Sequence, residues 1–357
     1  MSLPEPVPSA EPGAAFLAEI REQPDALRRL LDHDDEFARV AAAARERGQL
    51  VRFVGHGSSD NAATYGVYAF GLLAGWTALR DSIALAAYFG ARREMRGSTV
   101  IGLSQSGQTP DVIEYVRRTR LHGAFTVALT NETDSELAST AEAVLPLSAG
   151  AERAVAATKT YLNQVAALAL LAAHCGGQGK RVADGIRSVA DQIEHALPAL
   201  EEQTQALALP FVFVGRMFVI GRGPEFATAR EIALKLLETC KTAAWPLTAT
   251  DLAHGPVAVL DPLFPVWAIA SRDQTLPALQ EAVARVREFG ATIVASGDAA
   301  DAIEGAKYVL PVPEPKLHIL SPILSVVPGQ LFAAALARAK GHDPDSPPGL
   351  SKVTLAR

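Results

Sequence analysis

The sequence predicts an α/β fold built from parallel sheets that are flanked by helices. Two observations lead to this prediction: short apolar strands alternate with helical segments, and the whole alternation occurs twice along the chain. Alternating strands and helices form a parallel sheet covered by helices on both faces, and ligands bind at the carboxyl ends of its strands. We therefore expect two copies of one α/β unit.

Four pairs of segments keep one register to within one residue and define the internal repeat. "VRFVGHGSSDNAATYG" matches "MFVIGRGPEFATAREIA" around Gly-x-Gly, so that Gly55 corresponds to Gly221, 166 residues later. "VIGLSQSGQTPDVI" matches "VWAIASRDQTLPAL" at the same offset, with Thr109 against Thr275. "HGAFTVALTN" pairs with "FGATIVASGD" at an offset of 167, and "AVLPLS" pairs with "YVLPVP" at 165. Similarity at one fixed spacing indicates a duplicated structural unit.

The composition narrows the class of protein. The 357 residues suffice for about two domains, and 49% hydrophobic with 20% charged residues is ordinary for a soluble protein. The formal net charge is −6 and the basic residues are scattered, so we expect neither nucleic acid nor an acidic membrane as a partner. Cys175 and Cys240 offer no disulfide framework and no metal-ligand spacing. Neither a metal nor an organic cofactor is expected.

The chain start and the apolar runs predict a cytoplasmic protein. The segment "MSLPEPVPSAEPG" lacks the basic and apolar regions of a signal peptide. No uninterrupted apolar run reaches the roughly eighteen residues that a membrane span needs, so no membrane segment is expected. The expected organisation is a disordered N-terminal tail (1–15), a first domain with N-terminal helices (16–200), a second domain (201–340) and a C-terminal tail (341–357).

A polar loop follows the predicted buried strand at residues 100–103. The segment "LSQSGQTPDV" places Ser104, Gln105, Ser106 and Thr109 between this strand and a helix whose first residue is expected to be Pro110. Unpaired amides and the helix dipole favour an anion at a helix start. A phosphate site is the functional interpretation, and an ordinary capped turn is the alternative.

The two copies differ at the loops that follow their strands. The first copy supplies the hydroxyls of Ser58 and Ser59, whereas the second has Pro224 at the position of Ser58. The second copy also has Asp273 at the position of Gly107, and a carboxylate there would repel phosphate. We therefore place the phosphate in the first copy. The bare Gly-x-Gly is weak evidence for a dinucleotide.

The second copy contributes acid–base groups. Glu231, Lys235 and Glu238 are spaced so that they share one face of a predicted helix, although a solvated ion pair is the commoner outcome of such spacing. His254 precedes Gly-Pro and the apolar run "VAVL", which we predict to be a strand, and histidine is suited to proton transfer near neutral pH. Lys352 lies in the C-terminal tail, where a lysine is usually only solvated.

From about Phe16 to Arg357 the chain resembles the tandem sugar isomerase (SIS) domain family. It is most similar to the isomerase half of glucosamine-fructose-6-phosphate aminotransferase and to stand-alone glucosamine-6-phosphate deaminases. The resemblance implies two SIS domains, each a flavodoxin-like three-layer αβα unit. The segments that carry it are, in chain order, "EIREQP", "GHGSSDNA", "LSQSGQTPDV", "VAATKTY", "ALKLLE", "DLAHGP" and "LSKVTLAR".

The resemblance also implies roles for individual residues. Glu238 corresponds to the glutamate that moves a proton between C1 and C2 of the sugar, and Lys235 to the lysine one turn earlier. His254 corresponds to the histidine that opens the sugar ring and that comes from the neighbouring subunit of a homodimer with a shared active site. Lys352, in a tail that completes the active site, corresponds to a lysine that can form a Schiff base with a ketose. The residues implied to bind the hexose 6-phosphate are Ser58, Ser59, Ser104, Gln105, Ser106, Thr109, Val155 and Ser351.

Two departures from the family pattern shape the expected reaction. The aminotransferase begins with a glutaminase domain whose nucleophile is an N-terminal cysteine, whereas here the first cysteine is Cys175 and no such domain fits before Glu19. The chain is therefore not expected to make ammonia from glutamine. Ala157 stands where the synthase often has serine, so the pocket is expected to admit a different sugar epimer or nitrogen substituent.

The expected function is that of an amino-sugar 6-phosphate deaminase and isomerase. Its reaction would convert glucosamine 6-phosphate to fructose 6-phosphate and ammonia. The alternatives are a ketose–aldose isomerase, a fructosamine-6-phosphate deglycase and a sugar-phosphate-sensing module without catalysis. A sensor is less consistent with the sequence, because it has no need for Glu238, His254 and Lys352 together.

Overall fold

The first half of the chain forms a five-stranded parallel sheet. The structure, a computed structural model, describes residues 11–352. The strand order in the first sheet is β2-β1-β3-β4-β5 and every neighbouring pair is parallel. Its strands are β1 (Leu50–Val54), β2 (Thr77–Arg80), β3 (Ser98–Leu103), β4 (Phe125–Thr130) and β5 (Ala143–Pro146).

The second half repeats the topology. Its sheet has the order β7-β6-β8-β9-β10, again parallel throughout. The register also repeats, because Leu50 pairs with Thr77 in the first sheet and Arg216 pairs with Ala243 in the second, each 166 residues later. The predicted duplication of an α/β unit is confirmed. The strands are β6 (Arg216–Gly221), β7 (Ala243–Thr248), β8 (Val266–Ile269), β9 (Ile293–Gly297) and β10 (Tyr308–Pro311).

Helices flank both sheets and give the predicted three-layer α/β architecture. Successive side chains of a strand point to opposite faces. Accordingly, Ile101 of β3 packs in the main core, while its neighbour Val100 packs with Val112 and Val116 on the other face. In the first half the helices are α1 (Ala14–Arg21), α2 (Gln23–Leu31), α3 (Asp34–Arg47), α4 (Ser58–Ala69), α5 (Ile83–Ala87), α6 (Pro110–Leu121), α7 (Glu136–Thr140) and α8 (Lys159–Cys175). The remaining helices are α9 (Gly179–Ala208), α10 (Glu225–Cys240), α11 (Ala249–Ala253), α12 (Leu276–Glu288) and α13 (Ser321–Ala339).

Long helices join the two halves. The 30-residue α9 contains the predicted domain division between residues 200 and 201, and it packs against α13. The helical segment His318–Ala339 is long and apolar enough to cross a membrane by length and composition alone, but 89% of its apolar window is buried inside the fold. Its apolarity is explained by this position, because a helix that is apolar on all sides belongs in a core.

The two chain ends meet. Helix α1 begins at Ala14, within the range predicted as a tail, and residues 1–10 of that range lie outside the described residues. Asp343 Oδ1 accepts the amide of Gly13 at 3.0 Å and Asp345 Oδ1 accepts that of Phe16 at 2.6 Å. These carboxylates satisfy amides at the start of the helix, which otherwise lack partners. Of the predicted C-terminal tail, residues 353–357 also lie outside the described part.

The prediction of a strand after His254 is wrong. Residues Pro256–Val259 form a single 3₁₀ turn. Gly255 has a φ of 127° and Pro256 has no amide to donate, so the chain turns where a strand would have to pair. The places beside β6 are taken by β7 and β8 instead.

Candidate active site

Helix α10 presents an acidic and basic cluster to the first half of the chain. Lys235 Nζ lies 3.3 Å from Glu231 Oε1 and 2.6 Å from Glu238 Oε2, so the three residues share one helix face as their spacing predicts. The side chains of Lys235 and Glu231 have no solvent exposure, whereas Glu238 keeps 22%. The predicted face is therefore a buried cluster and not a solvated ion pair. Its one partly open member is Glu238.

The start of α4 completes this cluster. Ser58 donates its hydroxyl to Glu231 Oε1 at 2.9 Å, and Lys235 Nζ donates to the same Ser58 oxygen at 3.2 Å. Asn61 donates to the other oxygen of Glu231 at 2.9 Å. A buried carboxylate needs a cation and hydrogen-bond donors in place of water. The second half of the chain supplies the carboxylate and the cation, and the first half supplies the hydrogen-bond donors Ser58 and Asn61.

Charge balance in the cluster holds Lys235 protonated. Burial alone lowers the pKa of a lysine, but the carboxylates Glu231 and Glu238 outweigh burial and raise the pKa of Lys235 above its usual value. The resulting ammonium lies against the Glu238 carboxylate. A partly exposed carboxylate beside a fixed cation can accept a proton from a ligand and return it.

The polar loop lies at the carboxyl end of β3, as predicted. Ser104 Oγ accepts the amide of Gly107 at 3.1 Å and lies 3.0 Å from the Thr109 hydroxyl, and Ser106 Oγ accepts the amide of Gln108 at 3.3 Å. Helix α6 begins at Pro110, as expected, but the Thr109 hydroxyl does not cap it. The loop is ordered by its own hydroxyls, and the side-chain oxygen of Thr109 is not committed to the helix amides.

The loops after β1 and β3 are neighbours. A Cβ on Gly55 would lie 3.1 Å from the carbonyl oxygen of Leu103, so glycine lets the first loop approach the end of β3. Ser59 is buried, and its Oγ accepts a hydrogen bond from Gln164 of α8 at 2.9 Å. Ser58, the first residue of α4, contacts the Lys235 cluster beside it. The polar loop and the cluster therefore share one edge of the first sheet.

Among the described residues of one chain, the His254 side chain makes no hydrogen bond or ion pair with the groups at this edge. It follows α11, is exposed, and its backbone amide donates to Asp251 at 3.0 Å. Across residues 11–352, its side chain forms no hydrogen bond or ion pair with the Lys235 cluster. The sequence expectation assigned this residue to the site of a neighbouring subunit.

Lys352 docks the C-terminal tail onto the loop that carries Val155. Its Nζ donates to Glu152 Oε2 at 2.8 Å and to the carbonyl of Ala154 at 2.6 Å, and Ser351 beside it is exposed. Burial raises the pKa of Glu152, but Lys352 and the surrounding donors outweigh burial and hold it below its usual value. The tail lysine is thus paired with a buried carboxylate and is not simply solvated.

Four residues were not singled out in the sequence: Asn61, Glu152, and His56 with its partner Asp111. His56 Nε2 lies 2.7 Å from Asp111 Oδ2, although the residues are 55 positions apart. The aligned repeat contained a signal for this pair, because the second copy has Arg222 and Pro277 at these two positions. In the described part of the chain, no group of three or more His, Cys, Asp or Glu residues is arranged to hold a metal ion.

Comparison with known proteins identifies the family to which this duplicated three-layer α/β unit belongs. The SIS domain model matches residues 48–174 and 213–338. The chain belongs to the sugar-phosphate isomerase (SIS) family and contains two such domains.

One relative in sequence supports this assignment, and two solved structures share the fold. The glutamine–fructose-6-phosphate aminotransferase (isomerizing) of Aeropyrum pernix is 32% identical over 351 residues, which is 95% of this chain and 56% of that protein. The C-terminal domain of glucosamine-fructose-6-phosphate aminotransferase from Francisella tularensis superimposes with a TM-score of 0.87 at 23% identity, covering 96% of this chain and all of that domain. Glucosamine-6-phosphate deaminase from Thermotoga maritima superimposes with a TM-score of 0.76 at 20% identity, covering 96% and 100%.

Proposed function

We propose that the protein is an isomerising amino-sugar 6-phosphate deaminase that converts glucosamine 6-phosphate to fructose 6-phosphate and ammonia. The observation that carries the proposal is the contact of the Lys235–Glu238 pair with Ser58, at the sheet edge where the polar loop lies. A phosphate-sized anion held by the loop would place a sugar chain beside a carboxylate poised for proton transfer.

The relatives support the isomerase part of this proposal. Their name describes an isomerising reaction on fructose 6-phosphate, and this chain spans about 56% of the length of the Aeropyrum protein. The residues that the family resemblance assigns to isomerisation, Glu238, Lys235, His254 and Lys352, are all present. The deaminase reaction uses these groups and water, so it needs no nitrogen donor.

The proposed reaction balances without an oxidant. His254 assists ring opening, which frees the C1 aldehyde. Glu238 takes the proton from C2 and delivers it to C1. The C1 oxygen gains the proton that the C2 amine loses, so C1 becomes a hydroxymethyl group and the amine becomes an imine. Water adds at C2 and ammonia leaves, which gives the ketose. General acid–base steps of this kind typically contribute about 10²–10⁴-fold each.

The phosphate ester would anchor the substrate. In the proposal its oxygens accept hydrogen bonds from the loop of Ser104, Gln105, Ser106 and Thr109, with Ser59 close by. Four such bonds to a charged group amount to roughly 6–12 kcal/mol. This gross energy is comparable to the association cost of about 4–15 kcal/mol, so the phosphate orients the sugar without making binding very tight.

The proposal includes a cytoplasmic homodimer with a shared active site. His254 is exposed and lies outside the Glu238 cluster of its own chain, which fits a residue that serves a partner subunit. Lys352 would approach the C2 carbonyl of the ketose from the docked tail, with Val155 and Ser351 beside the sugar. Release of Lys352 from Glu152 would then accompany Schiff-base formation.

Ammonia release tests the proposal directly. The purified protein is incubated separately with glucosamine 6-phosphate, galactosamine 6-phosphate and a fructosamine 6-phosphate. We expect release from one amino sugar, a loss of at least 100-fold in Glu238→Gln because the proton acceptor is removed, and no loss in Glu288→Gln. Glu288 is a matched control because it is exposed at the end of α12.

Other outcomes discriminate the alternatives. Aldose–ketose interconversion without ammonia would replace the deaminase by a plain isomerase, and turnover of the fructosamine alone would indicate a deglycase. If the wild type binds sugar phosphates without any turnover, and Glu238→Gln binds them equally well, the protein is a sensor.

A further inference from the structure

His56 and Asp111 connect the two loops at the edge of the first sheet. His56 lies in the loop between β1 and α4, and Asp111 lies in the first turn of α6, two residues after Thr109. Their side chains meet at 2.7 Å, with 56% of the His56 side chain and 12% of the Asp111 side chain exposed. The imidazole is therefore open to a ligand, while the carboxylate behind it is nearly covered.

Asp111 presents an electrostatic problem for an anion at this loop. A helix start attracts phosphate because of its amides and dipole, but a carboxylate in the same turn repels it. Residues 104–109 contain no lysine or arginine. Arg80 and Arg230 both pair with Asp60 on α4. The side chain in contact with the Asp111 carboxylate is the imidazole of His56.

The hydrogen bond to Asp111 occupies one ring nitrogen of His56 and leaves the other available. An ionised carboxylate only accepts hydrogen bonds, so Nε2 of His56 carries a proton and donates the hydrogen bond to Asp111. Within residues 11–352, Nδ1 makes no hydrogen bond. In the imidazolium form Nδ1 is a second donor, and hydrogen bonds from a cation to phosphate are among the stronger ones in proteins.

The second copy has no such pair. Arg222 occupies the position of His56 and donates to the Thr250 hydroxyl, and Pro277 occupies the position of Asp111. The histidine–carboxylate pair thus occurs only in the copy whose loop is rich in hydroxyls. It accompanies the proposed ligand site and not the fold that the two copies share.

We propose that His56 is a phosphate-recognition residue, held in place by Asp111, which neutralises that carboxylate and donates from Nδ1 to the phosphate ester of the substrate. This inference rests on the proposed placement of the sugar phosphate at the loop of residues 104–109. It adds to that loop a cationic group that the hydroxyls alone do not provide. Asp111 is a positioning residue in this arrangement.

Titration calorimetry with inorganic phosphate tests the proposal independently of turnover. We expect His56→Ala to bind phosphate about 10-fold more weakly, which corresponds to one lost charge-assisted contact. His56→Gln retains a neutral donor for Asp111 and should be weakened to a similar extent, because the charge is missing. In Asp111→Asn/His56→Ala the repulsion is also removed, so phosphate should bind at least threefold more tightly than to His56→Ala alone.

Arg222→Ala is the matched control, and it should leave phosphate affinity unchanged. Thermal melting of each variant establishes that it is folded, which is expected because the His56 side chain is more than half exposed. The proposal is overturned if His56→Ala binds phosphate within twofold of the wild type, if His56→Gln restores full affinity, or if the double variant is as weak as His56→Ala. Absence of ammonia release with normal phosphate affinity would overturn the deaminase reaction and leave this inference standing.

Discussion

The carboxyl edges of the two sheets have the same topology and opposite character. In the first sheet the loops after β1 and β3 carry hydroxyls and a partly exposed imidazole. In the second, the position of Ser59 is taken by Glu225, which is buried and accepts hydrogen bonds from Ser271 at 2.6 Å and Ser325 at 2.9 Å. One copy leaves its edge open to a ligand, and the other fills the same place with its own carboxylate.

The two copies of the duplicated unit use the same position for different interactions. Ser59 receives its hydrogen bond from α8, and Glu225 receives one from α13, the corresponding helix of the second half. Burial raises the pKa of Glu225 to about 7, although its serine donors lower it in part. In the second copy, the corresponding place at the sheet edge is filled by the buried Glu225 side chain. The second copy supplies α10, with its acid–base cluster, to the edge of the first.

The largest expected effect follows from removing the cation of that cluster. Lys235→Met leaves Glu231 buried without a positive partner, so we expect a loss of about 3–5 kcal/mol in the free energy of unfolding together with loss of activity. Urea denaturation measures the first and ammonia release the second. Lys180→Met, at an exposed pair with Asp184, should cost less than about 0.5 kcal/mol. A loss below about 1 kcal/mol in Lys235→Met would contradict the buried ion cluster.

Glu225 offers a test of the closed edge through pH. The pKa of Glu225 is raised from 4.5 to about 7 in the folded protein. Between these pH values the unfolded chain has already lost the carboxyl proton while the folded protein still holds it. The free energy of unfolding of the wild type therefore falls as the pH rises through this range. The Glu225→Gln variant has no proton to lose, so its free energy of unfolding does not fall in this way. The glutamine amide can donate a hydrogen bond to the neighbouring Thr228. We expect the variant to be more stable than the wild type by up to about 3 kcal/mol at pH 8, with the gain shrinking toward pH 5.

Denaturation curves at the two pH values measure this difference. Glu288→Gln, on an exposed surface, should show the same pH dependence as the wild type. A stability gain of Glu225→Gln that is equal at pH 5 and pH 8 would mean that Glu225 does not hold a proton in the folded protein.

A smaller effect is expected at the turn of the open edge. Gly107 has a φ of 61°, and a Cβ there would lie 1.9 Å from Ser135 Oγ. Gly107→Ala should therefore cost roughly 2 kcal/mol in stability and weaken phosphate binding by distorting the loop. Gly75→Ala is the matched control, because its φ of 70° is similar and no atom lies near its Cβ. Equal melting temperatures for the two variants would rule out a steric role for Ser135.

The sequence was sufficient for the fold because the relevant signals are local or repeated. Apolar strands such as residues 98–103 and the start of α6 at Pro110 follow from neighbouring residues, and the constant offset links the two halves. The face shared by Glu231, Lys235 and Glu238 follows from helical periodicity. These predictions needed no knowledge of contacts between distant segments.

The remaining features depend on such contacts. Asn61 meets Glu231 across 170 positions, and Glu152 meets Lys352 across 200. Nothing in either local segment specifies the partner. The prediction of a strand at "VAVL" was wrong because the local pattern suits a strand but the sheet has no place for it. Strands β7 and β8 already occupy both places beside β6. Sheet order, and not local preference, decided that segment.

The contact between Gly13 and Asp343 makes the backbone nearly a closed ring. Both ends of the described chain lie together. The folded architecture therefore does not require the first half to precede the second in the sequence. A circular permutant could join the ends through a linker and begin at the exposed Gly177, in the turn between α8 and α9. The second half would then precede most of the first. A permutant of this kind would report whether the duplicated units fold independently of their order.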